Sequence, residues 1–249
     1  MMTLKHIVER FFTVHKCGGC GEILDFEISS NALCYECALR WRVAKTESCP
    51  ICSQSAFECS CMPKALSKRG VLSLRKLYFY NKKRDKEPQN RLLYHLKKHP
   101  NKRMAAFVAR ELCPIMLSEL SVLDATSENT VIVNIPRGRR SKRIYGFDQT
   151  ALVCGELSDI SGITYISAIR RRRSGKEQKD LNSSKRFRNV VSLFEISDAD
   201  AVKGRYVVLF DDVVTTGASM CACVEILKKA GAVGIFCISM AQVPQNTVK

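Results

Sequence analysis

Asp211, Asp212, Thr215, Thr216, Gly217 and Ser219 place two carboxylates and three hydroxyls on one short stretch of chain. Hydroxyl donors beside a glycine that lets the backbone approach closely suit a phosphate, especially where the free N–H groups of a helix follow. The carboxylates cannot face the same phosphate without repulsion. They suit sugar hydroxyls, or Mg²⁺. One phosphate and one polyhydroxyl group, a sugar's length apart, describe a ribose 5-phosphate.

Those residues need a strand, a loop and a helix to hold them. Residues 207–210 are a short apolar run with β-branched members, bounded by Gly204 and the carboxylate pair, and read as a buried strand of a parallel sheet. Residues 220–230 carry Val224 and Leu227 at helical spacing and stop at Gly231. A further apolar run covers 233–240. Strand, polar loop, helix and strand make a βαβ unit, in which ligands sit at the C-terminal ends of strands. A second strand is expected at 130–135, ending at Pro136. The basic stretch 137–143, starting at Arg137, then reads as a compact loop able to neutralise a pyrophosphate or a nucleic-acid backbone. A helix is expected at 150–157. Residues 170–188, which include the arginines from Arg170 to Arg173, read as a mobile loop whose end packs through Phe187, Val190, Val191 and Phe194.

Eight of the thirteen cysteines fall at Cys17/Cys20, Cys34/Cys37, Cys49/Cys52 and Cys59/Cys61, three C-x-x-C pairs and one C-x-C. A C-x-x-C turn aims two thiolates at one point, and two such turns complete a tetrahedral zinc site. Sequential pairing gives one site from Cys17, Cys20, Cys34 and Cys37 and a second from Cys49, Cys52, Cys59 and Cys61. An interleaved pairing and an iron–sulfur cluster stay open, and His15 is a surface residue in the simpler reading. Cys113, Cys154, Cys221, Cys223 and Cys237 sit in apolar or helical contexts and are expected in the core.

The 249-residue chain carries 40 lysines and arginines against 24 acidic residues, a formal net charge of +16, which points to acidic partners. No apolar run approaches the roughly 20 residues of a membrane span, and the first residues lack a signal-peptide core. No membrane insertion and a cytoplasmic location are therefore expected. Between 62 and 103 the chain turns basic. Residues 72–80 are apolar enough to pack, and helices are expected at 91–98 and 104–112, separated by Pro100 and Asn101. No internal repeat is visible, and the absence of a G-x-x-x-x-G-K-[ST] pattern excludes a P-loop motor.

The segment from Leu209 to Ser219 resembles the phosphoribosyl pyrophosphate (PRPP) motif of the type I phosphoribosyltransferases. The resemblance implies that Asp211 and Asp212 hold the ribose hydroxyls as the catalytic pair. It implies also that the loop Thr215, Thr216, Gly217, Ala218 and Ser219 holds the 5-phosphate, with Arg137 at the pyrophosphate. Further residues narrow the likeness: Gly146, Phe147 and Gln149, then Gln178, Leu181, Arg186, Asn189 and Phe194. With the cysteine-rich start, these resemble the competence-associated ComF family across essentially the whole chain. The family's Arg-Gly-Phe-Asn-Gln reads Tyr145-Gly146-Phe147-Asp148-Gln149 here.

The resemblance implies an α/β fold: an open parallel sheet of the type I phosphoribosyltransferase kind flanked by helices, with a small cysteine-rich zinc domain ahead of it. The expected division is 1–62 for the zinc domain and 63–249 for the transferase-like domain, with a basic helical entry at 63–128 and a core at 129–249. Two function classes follow. One is a protein that binds PRPP or ribose 5-phosphate and acts in uptake of transforming DNA by binding single strands, with Arg171, Arg172 and Arg173 as nucleic-acid contacts, Tyr78, Phe79 and Tyr80 as stacking candidates or packed aromatics, and competence-machinery proteins as further partners. The other is an active Mg²⁺-dependent phosphoribosyltransferase passing ribose 5-phosphate from PRPP to an unidentified nitrogen acceptor in nucleotide metabolism or salvage.

Overall fold

The computed structural model describes residues 15–24, 31–123, 125–172 and 192–244. Its centre is a sheet of five strands: β1 (Ser73–Phe79), β2 (Thr130–Asn134), β3 (Thr164–Tyr165), β6 (Tyr206–Val214) and β7 (Gly234–Gln242). They lie in the order β1–β7–β6–β2–β3, every neighbour pair parallel. A separate antiparallel pair joins β4 (Ile169–Arg171) to β5 (Phe194–Ile196).

Both faces of the sheet are covered, as parallel sheets require. On one side lie α3 (Pro88–Lys98), α4 (Lys102–Ser121) and α6 (Gln149–Ser161), packed on Val208, Phe210, Phe236 and Ile238. On the other, α7 (Ala218–Lys229) packs on Val207, Leu209, Ile235 and Cys237. The alternation along β6 and β7 delivers neighbouring residues to opposite cores, so these strands read as continuous apolar runs. Two shorter helices, α2 (Lys64–Ser67) and α5 (Arg139–Tyr145), the amino-terminal α1 (Tyr35–Lys45) and a 3₁₀ turn over Lys82–Arg84 complete the described elements.

Several elements exceed the lengths expected from sequence. β6 runs through Asp211 and Asp212, because ladder pairing with β7 continues past the apolar run, through Asp211 opposite Ser239 to Val214 opposite Gln242. Helix α4 continues across Pro114, since its buried stripe of Val108, Leu112, Cys113, Met116 and Leu120 carries on beyond that residue. Residues 72–80 contain a strand, β1, paired with β7 at the sheet edge. The 137–143 stretch is mostly helix rather than loop, with α5 starting at Arg139 and closing at Gly146 in a left-handed conformation. Of the 170–188 stretch, Ile169–Arg171 is a strand, and residues 173–191, including Arg173, Gln178, Leu181, Arg186, Phe187, Asn189, Val190 and Val191, lie outside the described residues.

The cysteine-rich segment shares the core of the sheet's first face. Cys17, Leu24, Leu33, Cys37 and Trp41 are buried in the same cluster as Leu92, Leu96 and Val108. Trp41 meets Tyr78 and Phe107 edge to face, at ring-centre distances of 5.7 and 5.2 Å. Its indole Nε1–H donates to Glu111 at 2.9 Å. Tyr78 is fully buried and its hydroxyl donates to the Gln89 carbonyl. Phe79 packs on the Cys49 and Cys59 cluster, so these two aromatics serve the core. All five later cysteines are buried, as expected.

Candidate sugar-phosphate site and metal centres

The loop after β6 turns where the sheet ends. Gly217 is the N-cap residue of α7 and has φ +76°, a conformation open to glycine at no steric cost. A Cβ there would also stand 3.3 Å from Pro63 and 3.4 Å from Leu66, so α2 packs directly against the turn. The loop encloses a small cavity of about 70 Å³ lined by Asp211, Thr215, Thr216, Gly217, Ala218 and Ser219 among others. Ala218 donates its N–H to the Thr216 hydroxyl at 3.4 Å. The expected phosphate-loop residues therefore surround one hollow at a helix N-terminus.

The two carboxylates differ. Asp212 accepts from Gln149 Nε2 at 2.5 Å and has Lys97 Nζ at 3.4 Å, so α6 and α3 both reach its Oδ2. Asp211 accepts the backbone N–H of Asp212 at 2.9 Å. Burial, then the adjacent Asp212 charge, push the Asp211 carboxyl well above the usual carboxylate range. Sequence matching singled out Gln149 but gave it no role, and it missed Lys97 entirely. Nothing in a basic stretch distinguishes one lysine from its neighbours.

The β2 end supplies the third part. Asp148 is the N-cap of α6: its Oδ1 accepts the Thr150 N–H at 3.2 Å while its Oδ2 accepts the Arg137 N–H at 2.8 Å. The two N–H groups meet different oxygens, and an asparagine would turn its own NH₂ donor toward one of them, which accounts physically for the carboxylate at this position. Tyr145 also has a function. The Arg137 guanidinium lies 4.5 Å from its ring centre and 5.6 Å from that of Phe147, held between two aromatic faces. Arg137 Nη1 and Gln149 Oε1 are buried without hydrogen-bond partners among the described residues.

Of the arginines expected to meet nucleic acid, Arg171 ends β4, Arg172 follows it, and Arg173 lies outside the described residues. Arg171 places its guanidinium 5.2 Å from the Phe194 ring centre. Arg172 Nε pairs with Glu195 at 2.8 Å, and Arg170 with the same carboxylate at 2.6 Å.

The cysteines gather in the two sequential groups, Cys17/Cys20/Cys34/Cys37 and Cys49/Cys52/Cys59/Cys61, each with its sulfurs within 4.8 Å of one another. Tetrahedral zinc with Zn–S of about 2.3 Å sets sulfurs about 3.8 Å apart. The Cys20–Cys34 and Cys52–Cys59 sulfurs stand at 3.8 and 3.6 Å. Both groups can hold a metal ion, and the spacing fits zinc.

The first turn of each group is the same backbone unit. Cys17 accepts Gly21 N–H on its carbonyl and Cys49 accepts Ser53 N–H, both at 2.9 Å. Gly21 and Ser53 both have positive φ. Backbone N–H groups of Gly19 and Ile51 donate to the Cys17 and Cys49 sulfurs. Burial raises both thiols, but these and neighbouring N–H groups outweigh it and bring each down to about 7. The two C-x-x-C turns, which share only their cysteines in sequence, thus share one backbone conformation, because main-chain groups make it. Gly19 adds a close approach, since a Cβ there would meet Cys37 Sγ at 2.7 Å.

A family model described as the phosphoribosyl transferase domain matches residues 152–249. DNA utilization protein YhgH of Escherichia coli K12 is 33% identical over 105 residues, covering 42% of this chain and 45% of that relative. The protein of the same name from Salmonella typhi is 29% identical over 157 residues, 61% of this chain and 66% of that one. The chain thus spans from about half to two thirds of the length of these curated relatives. A solved glutamine PRPP amidotransferase from B. subtilis, complexed with ADP and GMP, aligns at TM-score 0.36 and 18% identity, over 61% of this chain and 27% of that one. The matched domain, the relatives and the paired cysteine groups support a ComF-like protein of phosphoribosyltransferase type.

Proposed function

We propose that the chain binds PRPP or ribose 5-phosphate and acts in the uptake or use of DNA by binding single strands. The observation that carries the sugar-phosphate half is the convergence, beyond the C-terminal ends of β6 and β2, of a phosphate-sized hollow, an acidic pair and a guanidinium with a donor unpartnered among the described residues. In this reading the 5-phosphate sits on Thr215, Thr216, Gly217, Ala218 and Ser219, and the ribose hydroxyls meet Asp211 and Asp212. Arg137 faces the pyrophosphate. Mg²⁺ in this reading is carried by the pyrophosphate oxygens. The cysteine groups hold structural zinc.

The DNA half is supported by the net charge of +16 and by the name of the relatives, DNA utilization protein. The chain has no helix long and apolar enough to cross a membrane among the described residues. Calorimetric titration with Mg²⁺ and PRPP, and separately with ribose 5-phosphate, tests the first half. A single-strand binding assay across salt concentrations tests the second. No heat at millimolar sugar phosphate removes the first half, and no salt-dependent DNA binding removes the second.

Transfer chemistry is favoured by one observation: Asp212 is already fixed by Gln149 and Lys97. A preorganised carboxylate beneath the ribose stabilises the positive charge that develops as pyrophosphate leaves. Release of pyrophosphate from PRPP that requires an added amine identifies this second reading.

A further inference from the structure

Lys76 has no exposed surface, although it belongs to the edge strand β1. Its Nζ donates to the Cys59 carbonyl at 2.6 Å, the Cys61 carbonyl at 3.2 Å and the Cys59 sulfur at 3.1 Å. The three donors of an ammonium are thereby matched by three acceptors, all on the C-x-C turn of the second cysteine group. The same ammonium stands 5.6 Å from the Phe79 ring centre, and Phe79 packs on Cys49 and Cys59. No carboxylate pairs with Lys76 among the described residues.

A buried cation needs a compensating anion, and carbonyl dipoles alone do not supply a net charge. Four thiolates on one divalent ion do: they form a dianion. We propose that Lys76 is the built-in counter-charge of a zinc centre made by Cys49, Cys52, Cys59 and Cys61. Its ammonium hydrogen-bonds the Cys59 thiolate, takes the centre from a dianion to a monoanion, and anchors that centre to the edge of the central sheet.

The first centre differs. Its nearby cation, Arg103, donates to the Lys16 carbonyl at 2.7 Å and to the Asn31 carbonyl, with no hydrogen bond to a sulfur among the described residues. The two centres therefore respond differently to loss of Lys76. Outer-shell partners of this kind are typically worth about 10- to 100-fold in metal affinity. They also draw electron density from the thiolate, so losing the donor exposes Cys59 to faster oxidation.

The full chain is purified with zinc, and metal is withdrawn by a graded chromogenic chelator in wild type, Lys76→Met and Lys76→Gln. Expected is a wild type holding two ions, and a Lys76→Met protein whose second ion is held about 10- to 100-fold more weakly while the first is unchanged. Lys76→Gln, which keeps one donor without the charge, falls between them. Cobalt substitution supplies a spectroscopic readout, the sulfur-to-metal charge-transfer band of one site shifting in the variants. Equal affinities for both ions in all three proteins overturn the proposal, as does an equal loss at both sites.

Should the Lys76 variants not fold, a protein with Lys76 intact decides. Cys52→Ser with Cys61→Ser breaks the second centre and leaves the first. Lys76 then becomes reactive toward acetic anhydride, whereas in the zinc-loaded wild type it is protected. Continued protection means burial alone holds the lysine and overturns the proposal.

Discussion

Gln149 donates its side-chain N–H to Asp212 at 2.5 Å, so the first residue of α6 fixes the carboxylate at the end of β6. The same residue leaves its Oε1 buried and without a hydrogen-bond partner among the described residues. An amide that positions an acceptor with one end and keeps the other open suits a sugar hydroxyl.

Gln149→Ala should therefore weaken ribose 5-phosphate binding without unfolding the chain. A hydrogen bond to a charged group contributes about 1.5–3 kcal/mol, which corresponds to roughly a 10- to 100-fold loss of affinity. Calorimetry checks the loss and thermal melting checks the fold. Unchanged affinity would show that Asp212 needs no tether.

Asp211 shows strain between function and stability. Its folded pKa lies above its unfolded value, through burial first and the Asp212 charge second. The native state then binds more protons than the unfolded chain in the interval between those two values. Stability of the ligand-free protein should fall as pH rises from the unfolded carboxylate range up through the folded pKa. Asp211→Asn removes the buried charge, so its melting temperature should exceed wild type at neutral pH while sugar affinity drops. A variant less stable than wild type at pH 7 would contradict the burial argument.

Much of this site was legible in sequence because the phosphate loop is local. Asp211 through Ser219 bring their own strand end, hollow and helix start, and Gly217 announces its left-handed turn. What sequence hid is long-range. Lys97 is one basic residue among many until α3 lays it against Asp212, and Lys76 looks like a surface lysine until β1 proves to be an edge strand covered by the second cysteine group. Residues 137–143 read as a loop because their charge has no helical pattern, and the structure buries no residue of the helix over Arg139–Tyr145. Their helix instead closes through Gly146. The strand lengths were missed for a related reason, since ladder pairing with β7 extends β6 past the point where its apolar run stops.

Arg137 separates two ligands. Its guanidinium is held by Tyr145 and Phe147 and keeps one buried donor unpartnered. Arg137→Ala should weaken PRPP binding by at least about tenfold, the range for a charge-assisted bond, and leave ribose 5-phosphate affinity nearly unchanged. Equal loss for both ligands in parallel titrations would place the arginine at the sugar or 5-phosphate instead.

Metal removal should reach beyond the cysteine segment. Cys17 and Cys37 share a buried cluster with Leu92, Leu96 and Val108, and Trp41, the single tryptophan, is 2% exposed between them. Thiolate ligation couples to folding. Chelation should shift Trp41 emission to the red and raise amide exchange in α3 and α4, and added zinc should reverse both. Emission that stays unchanged while metal is lost would mean that the apolar core alone holds this segment.

Glu195 gives the sharpest test of the DNA half. It pairs with Arg170 on the neighbouring strand and with Arg172 just beyond that strand's end, and so withdraws two cations from any approaching phosphate. If the β4–β5 pair meets single strands, Glu195→Gln should tighten binding by about two- to fivefold, since exposed ion pairs of this kind are weak and each freed arginine can release counterions. Neutralising Arg171, Arg172 and Arg173 together should do the reverse, lowering affinity and flattening the salt slope by roughly 0.7 for each DNA phosphate that is no longer neutralised. Both effects should leave ribose 5-phosphate binding intact, because the described residues among them, Arg171 and Arg172, stand at the β4–β5 pair and not on the loop after β6. Binding isotherms at several salt concentrations decide the matter. An unchanged slope in the triple variant, with no gain in Glu195→Gln, would assign the positive charge of this strand pair to something other than DNA.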